Sequence, residues 1–111
     1  TLGVLITDSR TVPLRSGTTG ISLGYAGFEG LRDYRGLPDI YDRPFKVSQT
    51  NVADGLAAAA VFIMGEGSER QPLATVTDAR VVFTDRAIKK EEIQIPLEDD
   101  LYLPFFKEFE F

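Results

Sequence analysis

Residues 51–64 have the sequence NVADGLAAAAVFIM, and this stretch decides which fold the chain can adopt. Asn51 is a suitable N-cap, and Asp54 places a carboxylate at the positive start of a helix. Apolar side chains occupy almost every later position, which predicts a helix that is buried on most of its sides. Gly65 or Gly67 then ends the helix.

Short strand-forming segments lie on both sides of this helix in the sequence. Gly20 and Gly24 interrupt one of them and indicate a β-bulge or the close approach of another backbone. Polar residues 8–16 are predicted to form a loop, and residues 28–43 a long connection with one helical turn. The predicted strands are residues 4–6, 18–26, 45–48 (with Phe45 and Val47 facing inward), 73–76 and 81–83. Together these elements predict an α+β fold with a mostly antiparallel sheet and one long buried helix.

The composition excludes several classes of protein. The 111 residues suffice for one domain with a modest core. The formal net charge of −5 argues against binding to nucleic acid or to an anionic membrane. No apolar run of roughly 18 residues is present and no signal peptide is visible, so we expect a cytoplasmic protein without membrane spans.

The chain contains neither Cys nor His. Their absence excludes disulfides, zinc–thiolate sites, thiol catalysis and Ser-His-Asp chemistry. Any catalysis must therefore use carboxylates, arginines, lysines, tyrosines, hydroxyls, backbone amides or a metal ion. Phosphoryl transfer fits this set because it depends on positioning and charge neutralisation more than on a tuned base.

Two polar turns beside predicted elements carry hard oxygen donors. Asp8 and Ser9 follow the first strand, and Glu66 lies between two glycines directly after the helix. Carboxylate and hydroxyl oxygens suit Mg²⁺ or Mn²⁺ with phosphate rather than zinc or haem. The alternative is that both are ordinary turns, in which Asp8 and Ser9 cap a loop and Glu66 is solvated. Five arginines are predicted to lie in loops: Arg10, Arg15, Arg32, Arg35 and Arg43. Arginines in loops are mostly solvated, and the alternative is that these five line a pocket for a phosphate or a carboxylate.

The character of the chain changes at about residue 86, which predicts a boundary there. Residues 87–100 are mainly charged, whereas residues 101–111 are rich in aromatic side chains. The first residue is Thr1, and a predicted strand follows almost at once. We therefore expect a fragment or a processed product.

Six separated motifs also occur in a characteristic order between residues 4 and 83. They are Ile6-Thr7-Asp8-Ser9, Arg15-x-Gly17-x-x-Gly20, residues 23–28 (LGYAGF), Asp33-Tyr34-Arg35-Gly36-x-x-Asp39-x-Tyr41, residues 51–60 (NVADGLAAAA) and Met64-Gly65-Glu66-Gly67. This order resembles the coenzyme F420-0:γ-glutamyl ligase family, most of all its bacterial branch of γ-glutamate ligases assigned to folate metabolism. The resemblance implies that residues 1–86 are the C-terminal half of a γ-glutamyl ligase-like domain and that residues 87–111 are a charged and aromatic tail.

The resemblance also implies a function and a site. Members of the family are GTP-dependent ligases that require Mg²⁺ or Mn²⁺ and join L-glutamate to a carboxylate acceptor, here an F420 precursor or a folate-like molecule. Asp8, Ser9 and Glu66 match the family's metal ligands, with Ser9 where the family has Thr. The loop after Ser9 lacks the usual Gly-Arg, and Arg10 could supply that guanidinium. The residues that match nucleotide contacts are Met64, Gly65, Gly67, Ser68 and Arg15.

Two hypotheses follow for this chain. In the first it is part of a ligase, although the family's N-terminal half, which adds nucleotide contacts and a further acidic ligand, is missing. In the second it is a non-catalytic structural or dimerisation module that keeps the fold. Both predict a homodimer, because family members pair as intertwined dimers and a small domain cannot cover so apolar a helix alone.

Overall fold

The computed structural model describes residues 1–106, and its first half is a β-hairpin with a helix packed across it. Strand β1 (Val4–Thr11) pairs antiparallel with strand β2 (Thr18–Ala26). The predicted loop over residues 8–16 is therefore wrong in its first half, since β1 continues to Thr11. The reason is that the Thr-rich start of β2 lies opposite, and β-branched residues suit a half-exposed ladder.

The predicted irregularity in β2 is confirmed as a β-bulge. Ile6 pairs with Gly24 and Thr7 pairs with Ser22, so Leu23 is the extra residue between them. A bulge of this kind bends the strand and increases its twist.

The helix α1 (Val52–Met64) begins and ends where the sequence predicts. The Asn51 side chain accepts a hydrogen bond of 3.0 Å from the backbone N–H of Asp54, which confirms the N-cap. The Asp54 carboxylate in turn accepts 2.8 Å bonds from Asn51 Nδ2 and from the backbone N–H of Ser22. One acidic side chain thus closes the start of the helix and ties it to the bulged strand.

Gly20 is the point of closest approach between α1 and the hairpin. A Cβ atom there would lie 2.6 Å from Cγ2 of Val61 and would also overlap the carbonyl oxygen of Ala57. Only glycine permits this contact, as expected for a glycine inside a strand. Ala57 and Ala53 on the facing side of the helix are fully buried.

The prediction of a helix buried on most sides needs correction. Among the described residues of α1 only Ala53 and Ala57 are buried, whereas Phe62 is 85% and Ile63 is 64% exposed. The physical reason is that a two-stranded hairpin can cover only one stripe of the helix. The fold is therefore a mixed α and β arrangement with antiparallel strands, but its helix is only partly covered within this chain.

The remaining two strands of the described chain are short and lie outside the predicted ones. Strand β3 (Leu31–Asp33) pairs antiparallel with β4 (Gln49–Asn51), which leads directly into α1. The strand expected over residues 45–48 is absent, because Phe45 makes only a single bridge with Arg35 and Val47 is 85% exposed. The connection over residues 28–43 holds β3 instead of a helical turn.

The two strands predicted after the helix are likewise not formed as ladders. Residues 73–76 are outside any strand, and Phe83 alone bridges Phe28. Two backbone bonds, from Glu29 N–H to the Val82 oxygen and from Thr84 N–H to the Gly27 oxygen, align the 82–84 segment with the chain after β2. The segment is thus a partial third strand with too few bonds to be a ladder.

The segment after residue 86 consists of short helical turns. It contains 3₁₀ turns at Lys90–Ile93 and Leu97–Asp99 and one turn of helix, α2 (Leu103–Phe106). Residues 107–111 of the predicted aromatic tail lie outside the described part of the chain. No helix within residues 1–106 is long and apolar enough to cross a bilayer.

Arg86 anchors this last segment to the hairpin region. Its guanidinium donates to both carboxylate oxygens of Glu29 and to both of Glu92, with 2.9 Å from Nε to Glu29 Oε1. The Glu92 carboxylate also accepts the Lys89 N–H at 2.7 Å. The hydrogen bonds from Arg86 are the main reason that the pKa of Glu92 falls from 4.5 to about 2.

We expect Gly20→Ala to destabilise the fold and Gly24→Ala to leave it almost unchanged. Both glycines lie in β2, but a Cβ at Gly20 would overlap α1, whereas a Cβ at Gly24 has no atom within 4 Å. Overpacking of this kind costs about 1–3 kcal/mol. Urea unfolding followed by circular dichroism measures the difference, and equal stability of the two variants would contradict the proposed contact.

We expect the link between Arg86 and Glu92 to weaken on acidification. The folded-state pKa of Glu92 is depressed to about 2 from 4.5. Its favourable contribution to the stability of the folded state is therefore present above pH 4.5 and is lost as the pH falls toward 2. An NMR titration of the Glu92 carboxyl carbon measures this pKa. In Arg86→Gln the pKa should return toward the ordinary value, and an unchanged pKa would show that Arg86 is not its cause.

Candidate functional site

Ser9 and Glu66 meet at the end of α1. Ser9 lies in β1 opposite Gly20, on the face of the hairpin that the helix crosses. Glu66 follows the helix by two residues, and the Ser9 hydroxyl donates a 3.1 Å hydrogen bond to Glu66 Oε2. Two residues 57 positions apart in sequence, both predicted as metal ligands, are therefore in direct contact.

Asp8 lies beside this pair but on the opposite side of β1. Successive residues of a strand point to opposite faces, and Asp8 is exposed together with Val4 and Ile6. Its Oδ1 atom turns back to accept a 2.8 Å hydrogen bond from the backbone N–H of Ser9. The convergence of Asp8, Ser9 and Glu66 on one ion stays a prediction.

The donor set is compatible with a hard divalent cation. A hydroxyl and two carboxylates supply only oxygen ligands, which Mg²⁺ and Mn²⁺ prefer. Within residues 1–106 no group of three or more acidic, His or Cys side chains forms a complete metal cage. Mg²⁺ usually binds through one or two carboxylates and completes its shell with water and substrate phosphate, so a complete cage is not required.

The loop after α1 carries a further acidic residue that the sequence reasoning missed. The Glu69 side chain folds over this loop and accepts a 2.8 Å hydrogen bond from the Gly67 N–H. Gly65 has a φ of +82°, and a Cβ there would lie 2.7 Å from Glu69 Oε1. The sequence signal was available, because glycines at 65 and 67 leave backbone N–H groups open to a carboxylate two residues later. Glu69 is thus a second carboxylate close to the loop that holds Glu66.

The residues predicted to contact a nucleotide are only partly gathered here. Gly65 and Gly67 form the loop itself, and Ser68 is exposed beside it. Met64 lines an apolar groove of about 570 Å³ that also contacts Thr7. Arg15 lies in the turn between β1 and β2, and its guanidinium makes no ion pair with any residue in the described range.

Comparison with known proteins shows which family the chain resembles. The family model described as F420-0:Gamma-glutamyl ligase matches residues 1–78. The coenzyme F420:L-glutamate ligase of Methanococcus maripaludis strain C7 is 38% identical over 95 residues, which cover 82% of this chain and 38% of that protein. The protein of the same name from Methanocaldococcus jannaschii is 35% identical over 101 residues, or 91% of this chain and 40% of that protein.

A third relative gives a similar match. The coenzyme F420:L-glutamate ligase of Haloarcula marismortui is 38% identical over 96 residues, which cover 86% of this chain and 37% of that protein. The matched part of the chain thus spans about two fifths of the length of these curated relatives. The match includes β1, the hairpin, α1 and the loop with Glu66, which are the elements that carry the candidate site. This chain therefore belongs to the F420-0:γ-glutamyl ligase family.

Proposed function

We propose that this chain supplies part of the metal and nucleotide site of a γ-glutamyl ligase. The ligase would use GTP and Mg²⁺ or Mn²⁺ to join L-glutamate to a carboxylate acceptor, either an F420 precursor or a folate-like molecule. The observation that carries the proposal is the hydrogen bond between Ser9 and Glu66, which unites two separate family motifs. Relatives that match most of this chain are named as coenzyme F420:L-glutamate ligases.

Asp8, Ser9 and Glu66 are the proposed ligands of the cation. A cation at this place would neutralise charge on the phosphate oxygens of the nucleotide and orient them. Coordination by both partners of the Ser9–Glu66 contact requires the Ser9 hydroxyl proton to turn away from the carboxylate. A hydrogen bond to a charged group contributes about 1.5–3 kcal/mol, which the cation must replace.

The loop formed by Gly65 and Gly67 is the proposed phosphate contact. Its Gly67 N–H already donates to one anionic oxygen, that of Glu69. A phosphate oxygen, like this carboxylate oxygen, is anionic and accepts hydrogen bonds from backbone N–H groups. Nucleotide binding at Gly67 would then displace Glu69, while Met64, Ser68 and Arg15 remain proposed flanking contacts.

The proposed reaction proceeds in two steps. The acceptor carboxylate attacks the γ-phosphorus of GTP, the bond from this phosphorus to the bridging oxygen breaks, and GDP departs. The acceptor is then an acyl phosphate. The amine of L-glutamate then attacks the acyl carbon, inorganic phosphate departs, and the nitrogen loses a proton as the amide forms. Both steps place negative charge on phosphate oxygens, so positioning and charge neutralisation dominate catalysis. Neither step needs the His or Cys that the chain lacks.

The second proposal concerns assembly, and it holds for a catalytic or a purely structural role. The hairpin face away from α1 exposes Val4, Ile6 and Leu23, each by more than half of its surface. Exposed apolar residues in one region favour association with another protein surface. A homodimer would cover this face, and the same observation supports the alternative of a non-catalytic dimerisation module.

We expect Glu66→Gln to remove cation binding while the chain remains folded. Mn²⁺ should broaden the NMR amide signals of Ser9 and Glu66 in the wild-type chain, because a paramagnetic ion at this site would lie close to both. The broadening should disappear in Glu66→Gln and in Asp8→Asn. Asp85→Asn is the matched control, since Asp85 is an exposed acid outside the site. Broadening that is unaffected by Glu66→Gln would refute the assignment.

The same substitutions test the ligase activity in a protein of the length of the curated relatives. Loss of a metal ligand should reduce GTP-dependent glutamate ligation at least about 100-fold. Loss of activity together with loss of Mn²⁺ binding supports the ligase proposal. Full activity in Glu66→Gln would favour the reading of Glu66 as a solvated loop residue.

We expect the chain to have the mass of two copies in light scattering at micromolar concentration. Ile6→Lys should shift this mass toward one copy, because a buried lysine without a partner is strongly unfavourable in an apolar interface. Lys46→Glu, which changes charge at an exposed position outside the hairpin, is the control. A wild-type monomer at high micromolar concentration would contradict the proposed dimer.

A further inference from the structure

A second pocket lies at the opposite end of α1 from Ser9 and Glu66. It is a half-open cleft of about 240 Å³ between strand β3, the first helical residue Val52 and residues 80–82. The 13 residues of α1 separate it from the Glu66 loop by about 20 Å at 1.5 Å per residue. Two arginines, Arg32 and Arg80, line it, and we call it the arginine pocket.

The acidic side chains that also line the arginine pocket are already paired elsewhere. Glu29 binds Arg86, and Asp33 binds Arg35 through a 2.7 Å contact from Nη2 to Oδ2. The hydrogen bonds from these arginines lower the pKa of both carboxyl groups, so both stay ionised and committed. They therefore neutralise little of the positive charge on Arg32 and Arg80.

Arg32 and Arg80 form no ion pair within the described part of the chain. The half-buried Arg32 guanidinium instead donates to neutral acceptors, the backbone oxygen of Arg80 and, at 3.4 Å, the hydroxyl of Tyr34. A partly buried guanidinium without an anionic partner loses hydration that neutral acceptors replace only in part. The pocket thus holds two positive charges in a chain whose net charge is −5.

The backbone of β3 also presents polar groups to the arginine pocket. Val52 N–H donates to the Gly30 oxygen and Tyr34 N–H to the Ser48 oxygen, so even-numbered residues of β3 face β4. By strand alternation, the Leu31 N–H points to the other edge, toward residues 80–82. The Arg32 side chain, and not this N–H, takes the Arg80 carbonyl.

We propose that the arginine pocket binds a small oxyanion, with a phosphate or a carboxylate group held between Arg32 and Arg80. Planar guanidinium groups pair with both kinds of oxyanion through two parallel N–H donors. The volume of about 240 Å³ admits a phosphate or a short dicarboxylate and is below the usual range for larger ligands. The proposal does not rest on the ligase activity, because the pocket lies at the other end of the helix.

The test is an NMR titration of the ¹⁵N-labelled 111-residue chain at constant ionic strength. Inorganic phosphate is added in one series and succinate in another. Saturable shifts are expected at the amides of Leu31, Arg32 and residues 80–82. Saturation by phosphate alone, by succinate alone or by both supports the site and identifies which oxyanion it prefers.

Two variants distinguish the pocket from general attraction to positive charge. Arg80→Gln should weaken binding at least about tenfold, which corresponds to one guanidinium contact. The Arg80 side chain is exposed, and the hydrogen bond from Arg32 goes to the backbone oxygen of Arg80. The substitution should therefore leave this hydrogen bond and the fold intact. Arg43→Gln removes the same charge from an exposed arginine outside the pocket and should leave the affinity unchanged.

Three results would overturn the proposal. One is the absence of saturable shifts with either anion. Another is an equal loss of affinity in Arg80→Gln and Arg43→Gln, which would show unspecific attraction. The third is a set of shifts centred on Gly65 and Gly67 and not on residues 31–32 and 80–82.

Discussion

The close approach of α1 to the backbone of Gly20 is the constraint on which the candidate site depends. With no side chain at this position, the helix lies directly on the strand, and Ala57 fills the space that remains. The Asp54 carboxylate fixes the helix in rotation, because it accepts the Ser22 N–H from the same strand. Together the two contacts determine where the last turn of the helix points, and hence where Glu66 can reach.

The helix was predictable from sequence because its signals are local. The cap at Asn51, the apolar run and the glycine that follows all lie within residues 51–65, and the structure confirms the bounds they predict. The bulge was predictable for the same reason, since Gly24 lies next to it within the strand. Each of these features depends on side chains a few residues apart.

The wrong predictions have a common physical cause. Whether a segment forms a strand or is buried depends on a packing partner that is distant in the sequence. Val47 alternates with polar neighbours as in a strand, yet no neighbouring strand lies beside it and it stays exposed. Residues 73–76 have high strand propensity but likewise form no ladder. The prediction of a buried helix is wrong for the same reason. An apolar pattern on nearly all sides predicts burial on nearly all sides, but within this chain the hairpin covers only one side of the helix. Family motifs, by contrast, led to the contact between Ser9 and Glu66 although neither residue has an unusual local pattern.

The position of Gly20 has a mechanical consequence. A rod held near its middle moves its two ends in opposite directions when it tilts, and α1 is held at Ala57, between Val52 and Met64. At 1.5 Å per residue, Met64 lies about 10 Å along the axis from this pivot and Val52 about 8 Å on the other side. A tilt of about 10° would carry the Met64 end by about 2 Å and the Val52 end by about 1 Å the opposite way. Such a tilt would therefore link the arginine pocket to the contact between Ser9 and Glu66, with opposite movements at the two places.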